Sequence, residues 1–182
     1  MIYPNDFINK VICGDCLEVS QDIPDNSLDV IITSPPYWAQ RKYTDGNKKE
    51  TGQEPYFHEY VSNLGNLFVD LGNKLKPSGS MWINIADTYY GGMKGVGGKT
   101  SKQLTNKGSF FDENFGSTFN NQELPRKSLC NIPSRLSVYI QDRGYILRNT
   151  IIWHKPNAWV TSAKDRFTVD FEYLFWFNLS KI

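Results

Sequence analysis

The stretch that decides the fold is NSLDVIITSPPYW, residues 26–38, in which a continuous apolar run stops abruptly at two prolines. A short apolar run of this kind is typical of a parallel strand that is covered on both faces. Pro35 and Pro36 end the strand because each proline fixes its own φ and restrains the residue before it. We therefore expect Ser34 and Tyr37 to lie in a stiff, extended segment just beyond the carboxyl end of a buried strand.

Helix-like and strand-like segments alternate around this stretch. Apolar residues three and four apart predict a helix from Tyr60 to Leu75, which the residues KPSG end, and a second helix begins near Pro133. Four further segments read as strands: KVICGD (10–15), SMWINIA (80–86), YILRNTIIWHKPN (145–157, ending in a loop) and FEYLFWFN (171–178). This order predicts an α/β domain with a mostly parallel sheet and helices on both faces. Ligands of such sheets gather at the carboxyl ends of strands.

The composition limits the class of protein. A chain of 182 residues with 40% hydrophobic and 21% charged residues is expected to form one globular domain, residues 1–182. The net charge of +1 indicates no particular partner. No apolar run reaches the roughly 18 residues of a membrane span, and the N-terminus lacks a secretory pattern. We expect no membrane association and a cytoplasmic location.

Metal and redox chemistry have little support in the sequence. The three cysteines suggest reduced thiols. Cys13 and Cys16 form one C-x-x-C, but a single pair without a second is weak evidence for zinc or redox chemistry. His58 and His154 are expected on a helix face and at a strand end. We therefore expect no metal site.

Residues 88–125, rich in glycine with several lysines, are expected to form a long flexible loop.

The segment after the first strand combines hydrogen-bond acceptors with an aromatic face. It could be a simple turn followed by a core aromatic residue. Because neither proline has an N–H, however, the segment suits a planar ring that carries an exocyclic amino group. The Ser34 hydroxyl and the Pro35 carbonyl would accept the amino hydrogens, and Tyr37 would stack on the ring for about 1–3 kcal/mol. A base inside a duplex reaches such a pocket only after it is flipped out.

TSPPYW, residues 33–38, resembles motif IV of the amino-group DNA methyltransferases in its serine form. Segments 11–19, 75–87, 144–160 and 171–181 are also similar to this family, in the order of its beta arrangement. The resemblance implies a Rossmann-like methyltransferase fold, with S-adenosyl-L-methionine as cofactor and double-stranded DNA as substrate. The serine form is typical of methylation at cytosine N4 in prokaryotic or phage restriction-modification systems. Adenine N6 is the alternative, because some enzymes of that specificity also carry Ser-Pro-Pro-Tyr.

The resemblance assigns roles to three sets of residues. The base pocket comprises Ser34, Pro35, Pro36 and Tyr37. The cofactor would contact Asp15 and Thr33, and the alternative for Asp15 is a turn or helix N-cap residue. DNA would contact Trp38, Arg41, Lys42 and Lys155, and the alternative for each cation is an ordinary solvated side chain.

One part of the family pattern does not occur in the sequence. We find no Phe-x-Gly-x-Gly segment, whose glycine turn lets the methionine end of the cofactor approach. We therefore expect an incomplete sheet with exposed edges, and a chain that binds the cofactor poorly on its own. Either the chain is a fragment, or a second chain supplies the cofactor motif. A different class of function, a non-catalytic DNA-binding subunit, remains open.

Overall fold

The computed structural model describes residues 1–39, 50–90, 124–158 and 163–179. These residues form three helices and four strands. In chain order they are α1 (Cys16–Ser20), β1 (Leu28–Thr33), α2 (Phe57–Gly72), β2 (Leu75–Ile85), α3 (Ile132–Gln141), β3 (Ile146–His154) and β4 (Phe171–Asn178). The predicted α/β class is confirmed, and so is the strand that ends at the Pro-Pro pair. None of the helices among these residues is long and apolar enough to span a bilayer.

The four strands form one mixed sheet in the order β1-β2-β4-β3. Strands β1 and β2 are parallel, whereas β4 is antiparallel to both of its neighbours. Strands β1, β2 and β3 therefore run in one direction and only β4, among the described strands, runs against them, which agrees with the mostly parallel sheet predicted from the sequence. Strand β4 is reversed because it returns from β3 without a crossover helix, so that the two strands form an antiparallel pair.

Two strand boundaries differ from the sequence expectation. Residues 10–15 form no strand, and Val11 is fully exposed, because a strand needs a hydrogen-bonded neighbour and no described strand pairs with this segment. Strand β2 begins at Leu75, so that KPSG lies within the strand rather than between a helix and a strand. The pairing of β1 with β2 is irregular at KPSG, since Leu28 pairs with Leu75 but Val30 pairs with Ser80.

One face of the sheet is buried. We call it the covered face; it carries Met81, Ile83, Phe175 and Phe177, each at most 2% exposed. Helices α2 and α3 contact one another and supply much of the rest of this core, including Leu64 and Leu136. The glycines of α2 permit close packing: a Cβ at Gly65 would meet the Tyr139 ring at 2.2 Å. Burial of this apolar surface is the main stabilising contribution to the fold.

The opposite face, which we call the open face, carries Val30, Ile32, Trp82 and Trp176. Ile32 is 74% exposed and Val30 is 48% exposed. The two tryptophans stack on each other with ring centroids 5.1 Å apart and an interplanar angle of 7°. Exposed apolar side chains on β1 beside half-buried tryptophans on the neighbouring strands are typical of a surface that another element covers.

Candidate functional site

The Ser-Pro-Pro-Tyr segment begins where β1 ends. Thr33 is the last residue of the strand and pairs with Ile83 in β2. Ser34 follows as an exposed residue, Pro35 is buried, and Tyr37 is half-buried. The parallel ladder thus brings the segment beside the carboxyl end of β2, where Asn84 lies. The sequence correctly predicts that this segment lies just beyond the carboxyl end of a strand.

A compact hydrogen-bond network surrounds the motif side chains. The Tyr37 hydroxyl donates to Glu172 Oε2 at 2.9 Å and lies 3.1 Å from Asn84 Oδ1. The Ser34 hydroxyl lies 3.2 Å from that of Tyr37 and 3.3 Å from Asn84 Oδ1. Asn84 in turn donates from Nδ2 to the carbonyl of Tyr173 at 3.1 Å, which sets the orientation of its amide. Three strands therefore meet in one polar cluster.

Glu172 is the charged centre of this cluster. Its side chain is only 12% exposed, and its Oε1 forms an ion pair with the ammonium of Lys155. Burial alone would raise the pKa of Glu172, but hydrogen bonds from Lys155 and Tyr37 outweigh burial and hold the pKa below its usual value. The carboxylate is therefore ionised at neutral pH beside the motif tyrosine.

The lowered pKa of Glu172 predicts a pH-dependent contribution to stability. A carboxyl whose folded pKa lies below its unfolded value stabilises the fold above the unfolded pKa and loses that contribution as the pH falls through the folded pKa. We expect Glu172→Gln to lower the free energy of unfolding by about 1–2 kcal/mol at pH 7, and by less below the usual pKa of 4.5. Urea unfolding of both proteins at pH 7 and at acidic pH measures the difference, and equal losses at both values contradict the prediction.

Tyr60 and Gly52 also contact the backbone of the Ser-Pro-Pro-Tyr segment. The Tyr60 hydroxyl donates to the Pro36 carbonyl at 2.8 Å, and burial raises the pKa of Tyr60, so that this donor stays protonated. Gly52 approaches closely, since a Cβ there would lie 3.0 Å from the Tyr37 carbonyl oxygen, and its φ of +92° suits glycine. Its own carbonyl accepts the N–H of Ala39 at 2.9 Å. The segment is therefore rigid before any ligand binds.

The structure gives a different position to Trp38 from the one predicted. Its side chain is 2% exposed, and its indole N–H donates to the Glu54 carbonyl at 2.9 Å. The ring packs edge-on against Phe57 at 6.0 Å. The prediction of a DNA contact by Trp38 is therefore wrong, because the chain turns at Trp38 and its ring packs into the core, whereas the Tyr37 hydroxyl faces the polar cluster.

Of the other predicted DNA-contacting residues, only Lys155 is among the residues that the structure describes. Lys155 lies within the site, where its ammonium pairs with Glu172 and lies 5.5 Å from the Trp153 ring centroid. Its charge is therefore already balanced by a carboxylate. Arg41 and Lys42 lie outside the described residues, and so does most of the loop predicted at 88–125.

Asp15 does not end a strand but caps α1. Its Oδ1 accepts the N–H of Leu17 at 2.8 Å, as in the N-cap alternative given by the sequence. The side chain is exposed, so its second carboxylate oxygen remains able to accept hydrogen bonds from a ligand. Thr33 is half-buried at the end of β1. A cofactor role for both residues stays a prediction.

Asn84 and Glu172 are site residues that we did not predict, and Asp87 is a half-buried carboxylate two residues after β2. Asn84 and Glu172 each interrupt an apolar strand with a polar side chain, which is the signal that could have identified them. Asp87 accepts the backbone N–H groups of Thr88 and Ile132 at 2.9 and 3.0 Å, and it thereby caps α3 from outside the helix. Burial raises the pKa of Asp87 against the effect of these hydrogen bonds.

Comparison with known proteins gives the family. The family described as DNA methylase, the N6/N4 methyltransferases, matches residues 28–182. The chain belongs to this family. The methylase chain is 36% identical over 172 residues to the type II methyltransferase M.SmaI of Serratia marcescens, covering 94% of the chain and 56% of that relative. It is 33% identical over 177 residues to M.SfiI of Streptomyces fimbriatus, covering 93% of the chain and 37% of that relative.

Solved structures agree on the fold. The PvuII DNA methyltransferase, named as cytosine-N4-specific, matches the methylase chain with a TM-score of 0.59 and 24% identity, over 92% of the chain and 48% of that structure. A putative DNA modification methylase from Thermus thermophilus, solved with S-adenosyl-L-methionine, matches with a TM-score of 0.57 and 18% identity, over 93% and 52%. The methylase chain thus spans about half the length of these proteins. Its predicted family and fold are confirmed.

Proposed function

We propose that the methylase chain provides the base pocket of a DNA methyltransferase that methylates N4 of a flipped cytosine, in a restriction-modification system. The observation that carries the proposal is the exposed hydroxyl of Ser34, which lies 3.3 Å from Asn84 and 3.2 Å from Tyr37 beside the buried Pro35. The relatives named as type II methyltransferases support the biological setting, and the PvuII structure supports cytosine N4 as the target atom.

The residues of the pocket act by position. The Pro36 carbonyl already accepts the Tyr60 hydroxyl, so the Ser34 hydroxyl and the Pro35 carbonyl are the acceptors that the segment offers to an amino group. Two acceptors on one amino group favour a pyramidal nitrogen, whose lone pair then projects out of the plane of the base ring and is available for attack. Because these groups are fixed in advance, they need little reorganisation as positive charge develops on the nitrogen.

S-adenosyl-L-methionine is the cofactor that this chemistry requires, and it would supply a methyl group activated by a sulfonium. The chemistry of Asp15 fits part of this molecule, because an exposed carboxylate can accept hydrogen bonds from ribose hydroxyls. Thr33, the last residue of β1, directly precedes the Ser-Pro-Pro-Tyr segment. These two residues would hold the cofactor beside the base pocket.

A further polypeptide segment, from a second chain or from a longer form of this chain, is part of the proposal. The open face presents Ile32 and Val30 to solvent beside the half-buried stacked pair Trp82–Trp176, and such a surface suits a complementary apolar element. We propose that this element belongs to the polypeptide that completes the cofactor pocket. The alternative functions are adenine-N6 methylation, which the family description also includes, and a non-catalytic subunit that requires a partner.

Product analysis tests the target atom. The chain is joined to the part of the Serratia marcescens relative that the match leaves out, and the hybrid is incubated with DNA and methyl-labelled cofactor. We expect the label to appear in N4-methylcytosine after digestion to nucleosides. Label in N6-methyladenine instead supports the alternative target, and a Ser34→Ala hybrid serves as the control for background methylation.

A further inference from the structure

Glu172 links Tyr37, which belongs to the Ser-Pro-Pro-Tyr motif, to Lys155, which lies outside it. Its Oε2 accepts the Tyr37 hydroxyl at 2.9 Å, while its Oε1 accepts the ammonium of Lys155. Both carboxylate oxygens are therefore engaged, each by a different segment of the chain. Hydrogen bonds with an ionised partner are roughly twice as strong as neutral ones. The carboxylate is thus the strongest acceptor of the Tyr37 hydroxyl.

The position of the Tyr37 ring depends on both of its ends. At the backbone end, Gly52 packs against the Tyr37 carbonyl, and Ala39 bonds to Gly52. At the other end, the hydroxyl reaches Glu172 and Asn84. A ring anchored only at Cβ still turns about its side-chain torsions, whereas a ring held also at the hydroxyl has one preferred orientation. The hydroxyl contacts therefore decide which face of the ring a guest would meet.

We infer that Glu172 is a positioning residue of the base pocket, which orients the Tyr37 ring and is itself held by Lys155. This inference rests on the proposed function, because an orientation of Tyr37 matters only if a base stacks on it. Glu172 does not contact the base; it acts through Tyr37. Lys155 stabilises Glu172 in this position, because its ammonium balances the charge of a carboxylate that is only 12% exposed.

The geometry favours this role for Lys155 over a phosphate contact. Its side chain is 40% exposed, but the ammonium lies against Glu172, and leaving that carboxylate would uncover a largely buried charge. The backbone also supports the arrangement, since the Lys155 N–H donates to the carbonyl of Asp170, two residues before Glu172. This backbone hydrogen bond therefore holds the residue after β3 beside the residue before β4, next to Glu172.

Fluorine NMR on the whole chain tests the inference without any need for methyl transfer. The chain contains ten tyrosines; labelling with 3-fluorotyrosine gives each a resonance, and Tyr37→Phe identifies that of Tyr37. We expect Glu172→Ala to shift and broaden the Tyr37 resonance while the distant tyrosines keep theirs. Glu172→Gln keeps the shape and an acceptor oxygen, so we expect a smaller shift of the same resonance. Asp170→Asn, which removes a nearby carboxylate that pairs with His154, is the matched control.

The outcomes separate the inference from the proposed function. A Tyr37 resonance that is unchanged in Glu172→Ala overturns the inference, whatever the hybrid enzyme does. If Glu172→Ala unfolds, as all resonances collapsing together would show, Glu172→Gln decides: a shift confined to the site supports the inference and no shift overturns it. A hybrid that methylates no base overturns the proposed function and leaves the NMR result unaffected.

Discussion

Replacing Tyr37 with alanine is expected to lower kcat/KM for DNA methylation by about 5- to 150-fold in the hybrid enzyme. Stacking of a base on an aromatic side chain contributes about 1–3 kcal/mol, and each 1.4 kcal/mol changes a rate about tenfold. The half-buried ring lies beside the exposed hydroxyl of Ser34, where the amino group of a flipped base would be held. The measurement is the initial rate of labelled methyl transfer at subsaturating DNA.

Tyr37→Phe is the informative companion of this substitution. Phenylalanine keeps the aromatic face but loses the hydroxyl that donates to Glu172 at 2.9 Å. We expect it to retain more activity than alanine, since stacking survives and only the orientation of the ring is released. Tyr3→Ala, which removes a ring that packs on Phe7 far along the chain from the motif, should leave the rate unchanged. Equal losses for the alanine and phenylalanine variants of Tyr37 would contradict a stacking role.

The position of the base pocket could be predicted because its determinants are local. An apolar run and two prolines fix where β1 ends, and both effects act within a few residues. Glu172 is different, because it lies 135 residues from Tyr37 in sequence and reaches it only through the pairing of β4 with β2. Asn84 is likewise 47 residues away. Periodicity shows that a strand exists but not which strand lies next to it.

The differences between sequence and structure have the same origin. KVICGD has the composition of a strand, yet residues 10–15 form none, because β structure depends on a partner strand as much as on propensity. Trp38 and Tyr37 are adjacent aromatic residues that local reasoning treats alike. The packing of α2 against the sheet separates them, since Phe57 and Glu54 provide a buried site for Trp38.

Phe177→Ala is expected to cause the largest loss of stability, about 3–5 kcal/mol in the free energy of unfolding. The side chain is fully buried on the covered face, and its strand pairs it with Met81 on one side and Leu147 on the other. The surrounding ladder cannot collapse into the space that the ring leaves, since both neighbouring strands are hydrogen-bonded in fixed register. Urea unfolding followed by circular dichroism measures the loss.

Ile32→Ala is the matched control from the open face of the same sheet. Ile32 is 74% exposed, and substitutions at exposed positions usually change stability by less than about 0.5 kcal/mol. A large loss for Ile32→Ala would therefore mean that another surface covers the open face in solution. If the surface belonged to a second copy of the chain, the unfolding midpoint would rise with protein concentration, because association stabilises the folded state by mass action. A small loss that does not depend on concentration leaves the open face free for the element that completes the cofactor pocket.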